Sequence, residues 1–243
     1  MKKLTLLILL IFSLSPLMAQ TAEEIITAIE KKTLFDTLQV EAEVVVKNQF
    51  GQNTSEIINY SIYNSDTRID IVSGSDKGQK LLRKDDQMYI YYPDADEVIR
   101  LQNSNLKNSF LGSDLSYEDL TKDNSLLATY NVETEEDTLV ENTACYTLLL
   151  KAKEKKTVYQ IQRMYVDKES GNTLKTIYYS LSQKPLREIT YSDYQSEGNY
   201  TYPKVAISID FLKKNSITEM KIKTIIVNPT LKKSLFTKED LIW

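Results

Sequence analysis

The sequence predicts a mainly β chain with few helices (α+β), folded as one strongly curved antiparallel sheet, an open barrel. Three observations lead there. About a dozen short stretches alternate apolar and polar residues with a period of two, as half-buried strands do. Most are joined by hairpin-length connections, which makes consecutive strands antiparallel neighbours. The composition agrees: 16 Tyr and 42% hydrophobic residues, against 6 Gly and 5 Pro, suit a sheet with one wet and one buried face.

The first 19 residues read as a secretory signal. Lys2 and Lys3 form its charged region, Leu4 to Leu14 its apolar region, and Leu17-Met-Ala19 its cleavage region before Gln20. The apolar run is too short for a transmembrane helix. No cysteine follows it, so no lipobox is expected, and residues 20–243 are expected to form one soluble periplasmic domain. Thr21 to Leu34 is the one helix of appreciable length. Thr21 and Glu24 make a capping box, and Ile25, Ile26, Ile29 and Leu34 make one apolar stripe. The helix lacks a basic face, so it is expected to pack on the sheet and not on a membrane.

After it the period switches to two. Val40, Ala42, Val44 and Val46 alternate with Glu41, Glu43 and Lys47; Ile58, Tyr60 and Ile62 repeat the pattern across a turn expected at Gly51-Gln-Asn53. Ile69 and Ile71, Leu81 and Leu82, Met88 to Tyr92, and Val98 to Leu101 complete a first set of strands. A second set begins near Thr129, turns at Glu141-Asn142 and at 167–172, and closes with the apolar alternations around 202–212 and 217–227. Between the sets, Asn103 to Leu127 is the longest stretch without strand alternation. Loops this long in a compact domain are usually functional or poorly ordered. Within it, Phe110, Leu111, Leu115, Tyr117 and Leu120 are apolar, Ser113 or Asp114 is the expected N-cap of a short helix, and Glu118 and Asp119 sit in its first turn. The segment reads as a flap over one face of the sheet, or as an ordinary loop plugging it.

The chain has no His, which removes Ser-His-Asp and Cys-His catalysis and the commonest zinc ligand. Cys145, the lone cysteine, lies in an apolar strand and is expected in the core. Asp94, Asp96 and Glu97 cluster after Pro93, and Asp85 with Asp86 forms a turn; such clusters are solvated turns unless burial tunes them. Asp123 and Asn124 match no calcium loop, and no phosphate-binding glycine loop is present. Ser113 would need a lysine base to act as a nucleophile, and the sequence places none at a recognisable spacing. No catalytic set, no metal and no cofactor are expected. Without Lys2 and Lys3, 28 basic residues face 34 acidic ones, a net charge of −6 that disfavours nucleic acid and anionic lipid surfaces.

The runs Lys84-Asp-Asp-Gln-Met-Tyr-Ile-Tyr-Tyr-Pro93, Val98-Ile-Arg-Leu101 and Phe110-Leu-Gly-Ser-Asp-Leu-Ser-Tyr-Glu-Asp-Leu120 resemble the outer-membrane lipoprotein-sorting proteins of Gram-negative bacteria. More closely, they resemble the mostly uncharacterised branch of the LolA/LolB-like superfamily that carries an F-x-G-S-D-x-S-x-E-D-L segment. The similarity continues through Tyr146-Thr-Leu-Leu-Leu150, Met164-Tyr-Val-Asp167 and Leu235-Phe-Thr-Lys-Glu-Asp-Leu241, so it spans nearly all of the mature chain. It implies a half-barrel with the N-terminal helix and a helical flap across the concave face.

The alternations name the lining that such a face would have: Val44, Val46, Ile58, Tyr60, Ile62, Met88, Ile90, Val205, Ile207, Ile209, Phe211, Met220 and Ile222, covered by the flap. That face is either a helix-filled core or an apolar cavity. The resemblance implies the latter: a carrier or chaperone that shields acyl chains of a lipoprotein or lipid across the periplasm. Its implied partners are that cargo, an inner-membrane exporter and an outer-membrane acceptor. A sensor or regulatory module of the same fold, binding a protein segment at an open sheet edge, is the alternative.

Overall fold

Local turn chemistry builds two antiparallel meanders. The computed structural model describes residues 20–242 apart from 64, 85–86, 102–104, 107, 122–124, 156 and 214–215. The signal segment 1–19, the Asp85-Asp86 pair, and Asp123 with Asn124 lie outside the described residues. Strand β1 (Thr37–Asn48) turns into β2 (Gly51–Ile62) with Asn48 paired to Gly51, so Gln49 and Phe50 make the turn and Gly51 already belongs to a strand. Then come β3 (Thr67–Ile71), β4 (Lys80–Lys84), β5 (Gln87–Tyr92) and β6 (Glu97–Leu101). The second meander comprises β7 (Tyr130–Val140), β8 (Thr143–Ala152), β9 (Ile161–Asp167), β10 (Thr173–Tyr179), β11 (Pro185–Glu197), β12 (Tyr200–Asp210) and β13 (Ile217–Val227). Between β7 and β8, Glu141 and Asn142 take φ of 49° and 71°, the left-handed pair whose twist matches a two-residue hairpin.

The last strand pairs with the first: Val44 faces Met220 and Val46 faces Thr218. All 13 strands therefore form one unclosed, curved antiparallel sheet in the order β6-β5-β4-β3-β2-β1-β13-β12-β11-β10-β9-β8-β7. Strands β6 and β7 are its two edges, yet they are consecutive in the chain. The connection between them must cross the whole sheet. This topological fact, not its apolar content alone, makes segment 102–129 a strap.

The strap and the N-terminal helix lie on one face, here the inner face. Helix α1 (Ala22–Lys32) begins as expected: Thr21 Oγ1 accepts from Glu24 N at 3.2 Å, and Glu24 Oε2 accepts from Thr21 N at 2.9 Å. Ile25, Ile26 and Ile29 pack on Val132, Leu148, Leu150, Met164 and Val166 of β7–β9. Leu34 was expected in the same stripe but falls beyond the helix and is 51% exposed. Among the described residues the outer face is covered across β2–β6 by the C-terminal segment with its short helix (Glu239–Ile242). There Phe236 and Leu241 are buried against Leu82, Tyr89 and Tyr91. Arg68 holds the clamp, donating to Asp70 at 2.7 Å and to the Leu235 carbonyl at 3.0 Å, and pairing with Asp240. Lys84 Nζ donates to the Phe236 carbonyl at 2.8 Å.

Candidate functional site

The strap is a seated element rather than a loose cover. Its first half is a tight loop closed by the Ser109–Ser116 bridge, with Phe110 N donating to Leu115 O at 2.8 Å and Ser113 N to Phe110 O at 2.8 Å. Leu111 and Gly112 both take positive φ, 51° and 68°, to make that reversal. Two successive left-handed residues explain a glycine in the segment. Phe110 is 0% exposed and packs with Leu106 on Val44, Val46, Met88 and Ile90; its ring meets the Tyr117 ring edge-on at 5.9 Å. The second half is helix α2 (Tyr117–Thr121). Its cap is Ser116, not Ser113 or Asp114: Ser116 Oγ accepts from Asp119 N at 3.2 Å, and Asp119 Oδ2 accepts from Ser116 N at 2.7 Å. Among the described residues Ser113 Oγ bonds only within its own turn, to Leu115 N and O.

Three carboxylates of the strap are each tied to a base from a different part of the sheet. Glu118 accepts from Arg83 of β4 at 2.9 Å. Asp119 accepts from Arg187 of β11 through both guanidinium ends, at 2.7 and 2.9 Å. Asp114, whose side chain is fully buried, lies 3.4 Å from Lys213 and accepts from Ser216 Oγ at 2.6 Å and Thr218 Oγ1 at 3.2 Å. Arg187 also donates to the Asp114 carbonyl at 2.7 Å and is stacked between the rings of Tyr159 and Tyr178, at 4.6 and 4.7 Å. Burial disfavours the Arg187 charge, but the hydrogen bond and charge of Asp119 outweigh it and hold the guanidinium above its ordinary pKa. The glycine-serine-aspartate-leucine-serine-x-glutamate-aspartate pattern is thus a set of fasteners. Neither arginine was expected to matter from sequence. Each breaks an apolar alternation at an inward position, between Leu81 and Met88 or beside Ile189, and that is the signal that marks them.

Beside and under α2 the inner face is not filled. A groove of about 240 Å³ runs along Leu38, Val40, Ala42, Ile57, Met220 and Ile222, with Phe35 at one end and Leu120 and Thr121 on its wall. A cavity of about 170 Å³ lies beneath Leu115 and Leu120, floored by Ile189, Ala206, Ser208 and Thr218 and flanked by Tyr178 and Tyr191. The two share Asp119, Leu120 and Met220 in their walls. A larger depression of about 380 Å³ sits elsewhere, at the rim between Ser75–Gln79 and Tyr92–Glu97. It is an open, polar turn surface, and Asp94, Asp96 and Glu97 are exposed there.

The expected lining splits between the two faces. Val44, Val46, Met88 and Ile90 are inward but lie under Phe110, as packed core. Met220 and Ile222 face the groove. Ile58, Tyr60 and Ile62 point outward: on β2 the inward residues are Ile57, Asn59 and Ser61, and Tyr60 and Ile62 pack against the C-terminal clamp. Val205, Ile207 and Ile209 are outward as well, because Ala206 pairs with Met220 and Ser208 with Thr218. Phe211 lies past the end of β12 and is 49% exposed. The physical reason is that a period of two does not say which face is which. Where the strap crowds the inner face, small residues take the inward positions of β12 and the β-branched ones turn out. A bulge between Glu41 and Ala42 then flips the parity of β13 beyond Ile222, leaving Ile226 on the exposed side. Cys145 is buried, and burial pushes its thiol pKa up, which disfavours the reactive thiolate. Among the described residues no group of three or more His, Cys, Asp or Glu could hold a metal ion.

Residues 64–243 match the model of a family described as uncharacterized protein-like. The chain belongs to this family. Solved LolA/LolB-like structures share its fold. A Vibrio parahaemolyticus domain described as outer membrane lipoprotein-sorting is 19% identical, with a TM-score of 0.81 over 90% of this chain and 97% of that one. A DUF1329 family protein from Desulfovibrio piger is 20% identical, with a TM-score of 0.82 and the same coverage. A LolA superfamily protein from Nitrosomonas europaea is 20% identical, with a TM-score of 0.77 over 91% of this chain and 100% of that one. No curated protein matches the chain. At these identities the LolA/LolB-like likeness is one of fold. Among the described residues no helix is long and apolar enough to cross a membrane.

Proposed function

We propose that the protein is a periplasmic lipid- or lipoprotein-binding carrier whose groove beside α2 takes an acyl chain. The unfilled apolar groove under a pinned strap carries this reading. In a filled barrel Leu38, Val40, Ala42, Ile57 and Ile222 would meet a helix; here they border open volume. Burying about ten methylenes at ~0.8 kcal/mol each is enough for a micromolar ligand. Such a function needs no catalytic residue, and it matches the name carried by the Vibrio relative. The cleavable signal of residues 1–19 would deliver residues 20–243 to the periplasm as one domain, with an exporter and an acceptor in the two membranes as partners. The strap roofs the site, and its fasteners keep the groove from collapsing.

The test is uptake of a fluorescent fatty-acyl probe by the mature protein and by Val40→Trp, which fills the groove from a half-buried position. Saturable uptake by the wild type and its loss in Val40→Trp, at an unchanged melting temperature, is the expected result. No uptake by the wild type would overturn the reading.

A further inference from the structure

Ser208 is 2% exposed, and its hydroxyl has no hydrogen-bond partner among the described residues. It sits in the floor of the smaller cavity, paired across the sheet with Ile189 on one side and Thr218 on the other. Thr218 and the two terminal nitrogens of Arg187 beside it are already committed, although Arg187 Nε also lacks a partner among the described residues. Thr218 Oγ1 accepts from Asp114 N at 2.8 Å, and Arg187 serves Asp119 and the Asp114 carbonyl. A buried hydroxyl without a partner is costly, and such groups in folded proteins call for one. Apart from Asp119, Tyr178, Tyr191 and Thr218, none of which it bonds, the lining is apolar: Leu115, Leu120, Ile189, Ala206 and Met220. Burial pushes the Tyr178 and Tyr191 hydroxyls up, so both flank the cavity uncharged.

We propose that Ser208 is the head-group subsite of the groove: its hydroxyl donates to the carbonyl oxygen of an uncharged acyl ester or amide. The acyl chain then runs past Met220 and Leu120, the wall that cavity and groove share. The head is uncharged because Asp119 borders the cavity and its one strong counter-charge, Arg187, is already neutralised by it. A ligand carboxylate would meet that aspartate in a poorly solvated space. This inference rests on the acyl-carrier reading and narrows it to neutral esters and amides rather than free fatty acids. An ester would come from a glycerolipid, an amide from an N-acylated lipoprotein.

The experiment displaces a bound fluorescent acyl probe at neutral pH with monopalmitoylglycerol, N-palmitoylglycinamide, palmitate or hexadecane, on wild type and Ser208→Ala. The ester or the amide should displace better than palmitate, and whichever is tighter identifies the source. Ser208→Ala should weaken that ligand about three- to tenfold, the value of one hydrogen bond, and leave hexadecane unchanged. Without ligand, Ser208→Ala should melt no lower than wild type, since it deletes an unpaired hydroxyl. Equal weakening of all four ligands, no weakening, or tightest binding of palmitate would overturn the subsite while leaving the carrier intact. Failure of the probe to bind wild type at all would overturn both.

Discussion

Replacing Arg187 with Ala removes the fastener on which the strap depends most. The guanidinium side chain is 6% exposed and its partner Asp119 14%, so this is a buried pair and not a surface one. The substitution leaves Asp119 with Ser116 and Tyr159 as donors but with no balancing charge. Removing one member of a buried pair costs about 3–5 kcal/mol, whereas an exposed pair is worth roughly 0–1. The lost stacking between Tyr159 and Tyr178 falls within that figure. For a chain of this size a loss of ~4 kcal/mol lowers the melting temperature by about 8–16 °C. Urea unfolding of Arg187→Ala, Asp119→Leu, Arg187→Met and the Arg187→Met/Asp119→Leu double variant measures it. The double variant should recover most of the loss, because two apolar side chains of similar size replace a pair with no charge stranded. It should stay about 1 kcal/mol below wild type through the lost Ser116–Asp119 cap. A cost under ~1 kcal/mol for Arg187→Ala, or strictly additive single variants, would refute the view of the strap as a pinned element.

Phe110→Ala should cost about 3–5 kcal/mol in urea unfolding, since the ring is wholly enclosed; acyl-probe affinity should change little, because Phe110 plugs the core beside the groove and does not line it. Probe binding lost at unchanged stability would instead make the strap a door. Stability should also fall at high pH. Burial raises Tyr117 and Tyr130 to about 12 and pushes Tyr159 and Tyr194 up as well, against about 10 in the unfolded chain. The folded protein therefore keeps protons that the unfolded chain releases, so the tyrosines' contribution to stability is fully present below pH ~10 and declines between about 10 and 12. Tyrosinate absorbance should show a fraction of the 16 Tyr titrating only on unfolding; a single transition near 10 in folded protein would contradict this.

What could be read from sequence was what is local. The Thr21–Glu24 capping box, the Glu141-Asn142 turn and the alternating strands depend on residues a few positions apart, and the structure has them where the pattern says. Face assignment is not local. Tyr60 and Val205 alternate as regularly as Val44 and Met220, but which side is inward depends on what covers each face, the strap for one and the C-terminal clamp for the other. The strap's fasteners were hidden for the same reason. Asp114 looks like a helix cap and Asp119 like a first-turn carboxylate until Lys213 and Arg187 arrive from strands and turns 68 or more residues away. The crossing itself follows only from β1 pairing with β13, which turns two consecutive strands into opposite edges.

The central claim is that the groove along Val40, Ala42 and Ile222 holds an acyl chain. Denaturing mass spectrometry of the mature protein, purified without detergent from a host with membranes, tests it most directly. The account predicts acyl lipid released in near-stoichiometric amount from wild type and absent from Val40→Trp. A wild-type protein free of lipid, which also takes up no acyl probe afterwards, would contradict it.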